Sequence, residues 1–312
     1  RKVTDYPAGD YSEKYSKELN DHYPNKIQSS KMFANDLYLA IITKQPEGLI
    51  NQGFSLIQQF NQRLDREYKK EYLAQCHQQL SEMTSKVMSA MSDYGCELLS
   101  VYEKDTIQFS APLEFISQLI NADVKSIPML KEDVAQLLPQ KRLFFNNHAG
   151  TIELRSANGD SQFAAMLAIK GYSSVTYQGM LDELSRLPCE YVVTQSYRFY
   201  DRQVAKTRLR DQQMEMGQSR EESISQTEQL NDAFDDAASG EVGFGIHHFT
   251  LACYADSLEK LNQNVASIVS RFADIDIACV REDAASECAF WAQLPANFSY
   301  ILRTASISTR NM

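Results

Sequence analysis

None of the twelve glycines in this 312-residue sequence is followed by Lys-Ser or Lys-Thr, so no P-loop for nucleotide phosphates is present. Gly243-Phe-Gly245-Ile-His-His248 begins like a dinucleotide fingerprint, but His248 stands where the third glycine belongs. The segment also reads as strand rather than strand, turn and helix. Gly-x-Ser-x-Gly and His-Glu-x-x-His are missing as well. Adjacent on a strand, His247 and His248 point to opposite faces, and His22, His77 and His148 have no ligand spacing with them. The expected role of these histidines is structural, with no metal site. The six cysteines (76, 96, 189, 253, 279, 288) contain no Cys-x-x-Cys pair. A chain of this size needs no covalent staples, so they read as reduced thiols in a cytoplasmic protein.

Long apolar runs are absent too. Stretches such as 163–169 fall far short of the roughly 20 residues that span a bilayer, and Arg1 is not followed by a signal-peptide pattern. A basic excess is lacking: 31 Lys and Arg stand against 41 Asp and Glu, a formal charge of −10. That argues against a nucleic-acid surface. The cluster Arg202, Lys206, Arg208 and Arg210 is followed on the same segment by Glu221, Glu222, Asp232, Asp235 and Asp236, which reads as a solvated helix of mixed charge. No catalytic constellation emerges from the residues alone.

What is present is the composition of a folded globular chain, 43% hydrophobic and 10% aromatic, with the length of about two domains. Residues 1–30 form an irregular lead-in, and 31–44 read as a strand broken by Gln45-Pro-Glu-Gly48. From Ile57 to Met91 apolar residues recur at spacings of three and four, ahead of Gly95 in a C-cap position. Such a helix is too long for one small sheet, so part of its stripe, with Leu80 and Met83, is expected to meet another domain or subunit. Ser110 is placed to cap a helix with Pro112 in its first turn. Strands are expected near 142–147 and 151–155, and Ser156-Ala-Asn-Gly-Asp160 is turn chemistry taken as a domain seam.

The second half has a clearer order. Strands are expected at 161–170, with Phe163, Ala165, Leu167 and Ile169 on one face, and at 190–200. A long polar segment over 201–240 leads to strand 242–254, a helix opened by a capping box at Asp256-Ser-Leu-Glu259, and strand 274–281. With the short helix at 180–187, the order is β-α-β, insertion, β-α-β, which is a ferredoxin-like split βαβ unit. The fold class is therefore α+β, with antiparallel or mixed sheets, packed helices, a long amphipathic helix and a helical arm. The arm at 201–240 is read as a hairpin bending near Gly217, because its ends must return to neighbouring strands. Leu209 and Phe234 are among its few apolar residues and are candidate contacts. The organisation expected is 1–30, 31–156, 157–283 with the insertion, and a junction over 284–312.

Met180-Leu-Asp-Glu-Leu-Ser-Arg-Leu-Pro188, Val193-Thr-Gln-Ser196, Asp201-Arg-Gln203 and Val280-Arg-Glu-Asp283 resemble the CagE/TrbE/VirB family of type IV secretion ATPases. So do Ala289-Phe-Trp-Ala-Gln-Leu-Pro-Ala-Asn-Phe-Ser-Tyr300 and Ile307-Ser-Thr-Arg-Asn311. Earlier stretches fit as well: Tyr6-Pro-Ala-Gly9, Met32-Phe-Ala-Asn-Asp-Leu-Tyr38, Pro112-Leu-Glu-Phe115 and Phe163-Ala-Ala-Met166. The resemblance implies an N-terminal docking and assembly region of a large cytoplasmic ATPase, peripheral at the bacterial inner membrane. Its RecA-like motor, with ATP and Mg, would lie beyond this chain, and no cofactor is expected within it. The implied partners are inner-membrane subunits of the secretion apparatus, the chain's own C-terminal motor domain and further copies in a homo-oligomer, without direct nucleic-acid binding. Phe290, Trp291, Pro295, Phe298 and Tyr300 would then pack the junction to the motor. The alternative is a stand-alone scaffold or interaction protein with the same fold and no motor.

Overall fold

The computed structural model describes residues 1–4, 32–43, 62–173, 175–201 and 242–311, with single positions near 15–18 and 203–211. The chain divides into two compact units. Arg1–Asp36, Leu119–Asn121 and Pro139–Met312 form the first, and Leu37–Gln118 with Ala122–Leu138 the second. The expected helical arm lies almost entirely outside the described residues, as do Leu209 and Phe234.

At the start of the first unit, β1 (Lys2–Thr4) and β2 (Met32–Ala34) pair antiparallel. The strand expected over 31–44 is limited to these few residues, and 35–43 run on without regular structure. Leu37 is 98% and Leu39 66% exposed. β-rich composition forms a strand only where a neighbour takes its backbone groups.

The second unit opens with α1 (Gln62–Ala90), 29 residues long and so on the order of 40 Å. Tyr72, Cys76, Thr84, Val87 and Met88 lie half-buried along one stripe, while Leu73, Leu80 and Met83 are exposed. Past a 3-10 turn at Ser92–Tyr94, Gly95 adopts φ +62° and its N–H bonds the Ser92 carbonyl at 3.2 Å, the glycine stop expected from sequence. β3 (Val101–Lys104) and β4 (Ile107–Ser110) form a hairpin. Its turn residues Asp105 and Thr106 both have positive φ, which matches the strand twist. α2 (Ala111–Asn121) follows, with the Ser110 side chain accepting from the Leu113 N–H at 3.4 Å. Glu114 then accepts from the Tyr102 hydroxyl at 2.7 Å and the Ile127 N–H at 3.0 Å. One carboxylate thereby ties hairpin, helix and the next loop together. α3 (Val134–Leu137) is a single turn capped by Asp133.

The rest of the first unit is a seven-stranded antiparallel sheet. It comprises β5 (Arg142–Asn146), β6 (Thr151–Arg155), β7 (Ser161–Gly171), β8 (Glu190–Phe199), β9 (Phe244–Ala255), β10 (Ala278–Arg281) and β11 (Ala305–Ser308). Its centre runs β10–β7–β9–β8, the ferredoxin-like order. β8 takes one edge of β9, and the other is shared by β7 opposite Thr250–Ala255 and β11 opposite Phe244–His247. The outer edge of β7 is likewise shared by β6 and β10. The Ser156–Asp160 turn is a correction to the sequence reading. It is a hairpin closing β6 onto β7, with the Ser156 N–H on the Asp160 carbonyl at 2.8 Å. Turn residues mark a reversal of the chain, and only pairing tells a hairpin from a boundary.

α4 (Leu258–Asp274) covers one face of the sheet. Leu261, Val265, Ile268 and Phe272 recur at helical spacing and are buried against Ala165, Leu167, Phe249, Leu251 and Cys253. The Phe272 ring meets Phe249 edge-on with centroids 5.6 Å apart. Each such side chain stabilises by about 1.5–3 kcal/mol through burial. The cap is Ser257, which accepts from the Lys260 N–H at 3.3 Å, rather than the expected Asp256. Lysine at that third helical position leaves no reciprocal acidic partner, so no capping box forms. The helix ends where Asp276 turns to φ +58° and the Ile277 N–H reaches back to the Phe272 carbonyl at 2.9 Å. The last expected strand accordingly begins at Ala278, not at 274. The crossover from β7 to β8 holds only a 3-10 turn (Asp182–Arg186), which buries Leu184.

At Gly150, in the β5–β6 turn, φ is +59° and an added Cβ would stand 2.6 Å from the Glu282 carbonyl oxygen. Gly159 has φ +93° but open space around it. Gly150→Ala should lower the unfolding free energy by about 3 kcal/mol and Gly159→Ala by about 1 kcal/mol, as read from urea denaturation midpoints.

Candidate functional site

The second face of the sheet carries the polar chemistry. Ile152, Leu154, Ala164, Met166 and Ala252 are all fully buried there. α5 (Ser286–Trp291) and the segment after it pack on this side. Phe290 is 1% exposed, set edge-on to Phe145 at 5.8 Å and to Trp291 at 5.2 Å. Phe290 is therefore core, a correction to its expected place at a junction, because the sheet face needs a large apolar cover. Trp291, Pro295 and Phe298 are half-buried, and Tyr300 is exposed. The Asn297 side chain donates to the Trp291 carbonyl at 2.9 Å and the Gln293 side chain to the Phe290 carbonyl at 3.0 Å, which pins the turns of this segment.

At its centre lies Glu282, only 3% exposed and ion-paired to Arg303. A second guanidinium bond, Nη2 to Oε2, is 3.4 Å long. The Glu282 N–H donates to the Met166 carbonyl at 2.8 Å, fixing the carboxylate relative to β7. Next to it Arg281 donates to the Gly150 carbonyl at 3.0 Å and to Asn262 at 2.8 Å. Glu282 and Arg303 border a small cavity with His248, Thr250 and Tyr300, and the buried Thr250 hydroxyl has no hydrogen-bond partner among the described residues. Sequence reasoning named Glu282 only within a family stretch and missed Arg303. The available signal was an acidic residue directly after an apolar strand, but its cationic partner lies 21 positions away.

The two histidines face opposite sides of β9. The Tyr172 hydroxyl is 2.7 Å from His247 Nδ1, and His247 Nε2 is 3.3 Å from Gln195 Oε1. With the phenol donating to Nδ1, Nε2 carries the proton. His248 Nδ1 lies 3.5 Å from the Ser196 hydroxyl. Burial lowers both pKa values, that of His248 to about 4 with help from His247. Burial and Glu282 push the Cys279 thiol up to about 12. All six cysteines are unbridged.

Of the expected contact residues, Leu80 is 36% and Met83 46% exposed on α1. Gly243 and Gly245 sit at the start of β9, where an added Cβ on Gly245 would stand 2.7 Å from the Tyr197 ring. The Tyr197 ring therefore lies over Gly245 on the strand. Among the described residues no group of His, Cys, Asp and Glu is placed to hold a metal ion. No described helix is long and apolar enough to cross a membrane.

The sign of the histidine effect follows from its direction. Folding favours the neutral imidazole of His248, so the unfolded chain takes up its proton first as pH falls below the ordinary 6.5. This group's stabilisation is complete above that pH, declines towards about pH 4 and is flat below it. His248→Gln should flatten the acid limb of the stability profile by on the order of 3 kcal/mol, measured by denaturation of both proteins between pH 7 and 4.

Residues 97–303 match the family model described as CagE, TrbE, VirB family, component of type IV transporter system. The chain is 31% identical over 313 residues to the type IV secretion system protein virB4 of Bartonella henselae, covering 100% of this chain and 39% of that protein. It is 27% identical to protein virB4 of Agrobacterium fabrum, covering 98% and 38%. To the type IV secretion system protein virB4 of Brucella suis it is 26% identical, covering 100% and 37%. The chain thus spans under two-fifths of the length of these relatives. With the family model covering six of the seven strands of the sheet, both packed faces and the Glu282–Arg303 pair, the chain belongs to the CagE, TrbE, VirB family of type IV transporter components.

Proposed function

We propose that this chain is the docking and assembly region of a type IV secretion motor, peripheral on the cytoplasmic face of the bacterial inner membrane. ATP hydrolysis, with its Mg ion, belongs to a part of the protein outside this chain. The observation that carries the reading is α1, whose Leu73, Leu80 and Met83 stand exposed on a helix of 29 residues. Exposed apolar side chains on one helix are the anchors that protein partners bury. Family membership makes the other subunits of the secretion apparatus the partners to expect, its inner-membrane subunits first. Half-buried Trp291, Pro295 and Phe298 and exposed Tyr300 form a second apolar rim, suited to the protein's own motor domain. Further copies of the chain in a homo-oligomer complete the set. The formal charge of −10 favours protein contacts over direct binding of a nucleic-acid cargo.

Co-purification of the tagged chain with inner-membrane secretion subunits tests the reading. Leu80→Asp and Met83→Asp should each weaken capture about tenfold or more, while the denaturation midpoint stays within the range of surface substitutions, roughly 0.5 kcal/mol. Unchanged capture by both folded variants would remove α1 as the docking element. Loss of folding would instead place these side chains in a core.

A further inference from the structure

β11 is held to the sheet by a row of hydrogen bonds. Its four residues, Ala305–Ser308, include two serines, and none is buried. They lie opposite His247, Ile246, Gly245 and Phe244, on the stretch of β9 edge beyond the reach of β7. The Tyr197 hydroxyl donates to the Ile307 carbonyl at 3.1 Å, and the Tyr200 hydroxyl meets the Ser306 hydroxyl at 3.0 Å. Thr309 closes the row: its N–H donates to the Gly243 carbonyl at 2.8 Å, and its hydroxyl accepts from the Gly243 N–H at 3.1 Å. Gly245 is what lets the Tyr197 ring lie flat enough to reach Ile307, since a Cβ there would strike both the ring and the Arg198 carbonyl. Upstream, Arg303 is pinned by the buried Glu282 carboxylate beside the unpartnered Thr250 hydroxyl.

We propose that residues 303–309 are a detachable clamp, one that lifts from the sheet as a unit and links the strand ends flanking the β8–β9 connection to the last strand. Lifting β11 strips Phe244–His247 of one partner, yet β8 still pairs the other edge of β9 from Gly245 to Tyr254, and the Tyr200 N–H still bonds the Phe244 carbonyl. The hydrogen bonds released are of the kind water replaces at small net cost. The clamp has one strong point, the Glu282 carboxylate, which is left buried and unpaired when Arg303 departs. An ion pair of that kind makes detachment a two-state event rather than gradual fraying. Contacts to β11 and Thr309 come from Tyr197, Tyr200 and Gly243, at the two ends of the β8–β9 connection. A displacement of those ends therefore acts first on the clamp. The inference stands on this geometry and on no part of the docking role.

Hydrogen exchange of the 312-residue chain, read peptide by peptide, tests it with Glu282→Gln and Tyr197→Phe. Glu282→Gln should speed exchange at 305–309 roughly ten- to a hundredfold, the scale of one charge-assisted hydrogen bond. Tyr197→Phe, which keeps the ring over Gly245 and loses only the hydroxyl, should speed the same amides about threefold. Residues 164–168 and 250–254 should be unaffected in both. Equal acceleration at those central amides would show that β11 opens only with the whole sheet and would overturn the proposal. Unchanged exchange at 305–309 in either variant would also overturn it.

Discussion

Two strands, β7 and β9, are buried on both faces, and most of the molecule's first unit answers that requirement. Ala164 to Ala168 and Leu251 to Cys253 are at most 2% exposed, whichever side they point to. A β-strand turns successive side chains to opposite faces, so burying both needs two covering layers. α4 supplies one with an amphipathic stripe. The other comes from α5 and the turns after it, short elements that cover little area each and are tied together by side-chain bonds to their own backbone. The sheet is the shared floor of two unlike cores.

That difference explains where the charge lies. The α4 side is closed mainly by aliphatic and aromatic groups, with His247 held between Tyr172 and Gln195 and Arg281 bonded to Asn262 of the helix. On the α5 side the covering chain is irregular, and Glu282, with His248 and Thr250 of β9, lies beneath it, each no more than 3% exposed. A buried carboxylate persists only with a cation and hydrogen bonds around it, which the Arg303 guanidinium provides with two N–H donors, while the bond from the Glu282 N–H to Met166 fixes the backbone. A buried imidazole persists by staying neutral. The polar cluster forms where side chains of β9 meet the chain after β10, and it ties the stability of that face to segments far apart in sequence.

The second unit solves a different problem. Its long helix buries none of its described side chains fully and shows leucine and methionine to solvent, while Glu114 holds the hairpin, α2 and the following loop through hydrogen bonds. A unit built that way leaves apolar surface facing solvent.

Local rules were written plainly in the sequence. Ser110, Gly95, the 142–155 hairpin and the i, i+4 stripe of α4 were legible because each depends on neighbours within one or two turns. The ferredoxin-like order was legible too, since alternating strands and helices leave few topologies. What only tertiary structure decided is everything that depends on a distant partner. The edge position of β11, the pairing of Glu282 with Arg303, the burial of Phe290, the hairpin where a seam was expected and the shortening of the 31–44 strand are all of this kind. Period and propensity state how a segment prefers to fold. Which groups it finds across the sheet is set by chain geometry over a hundred residues or more, as Arg281 and Gly150, 131 positions apart, make plain.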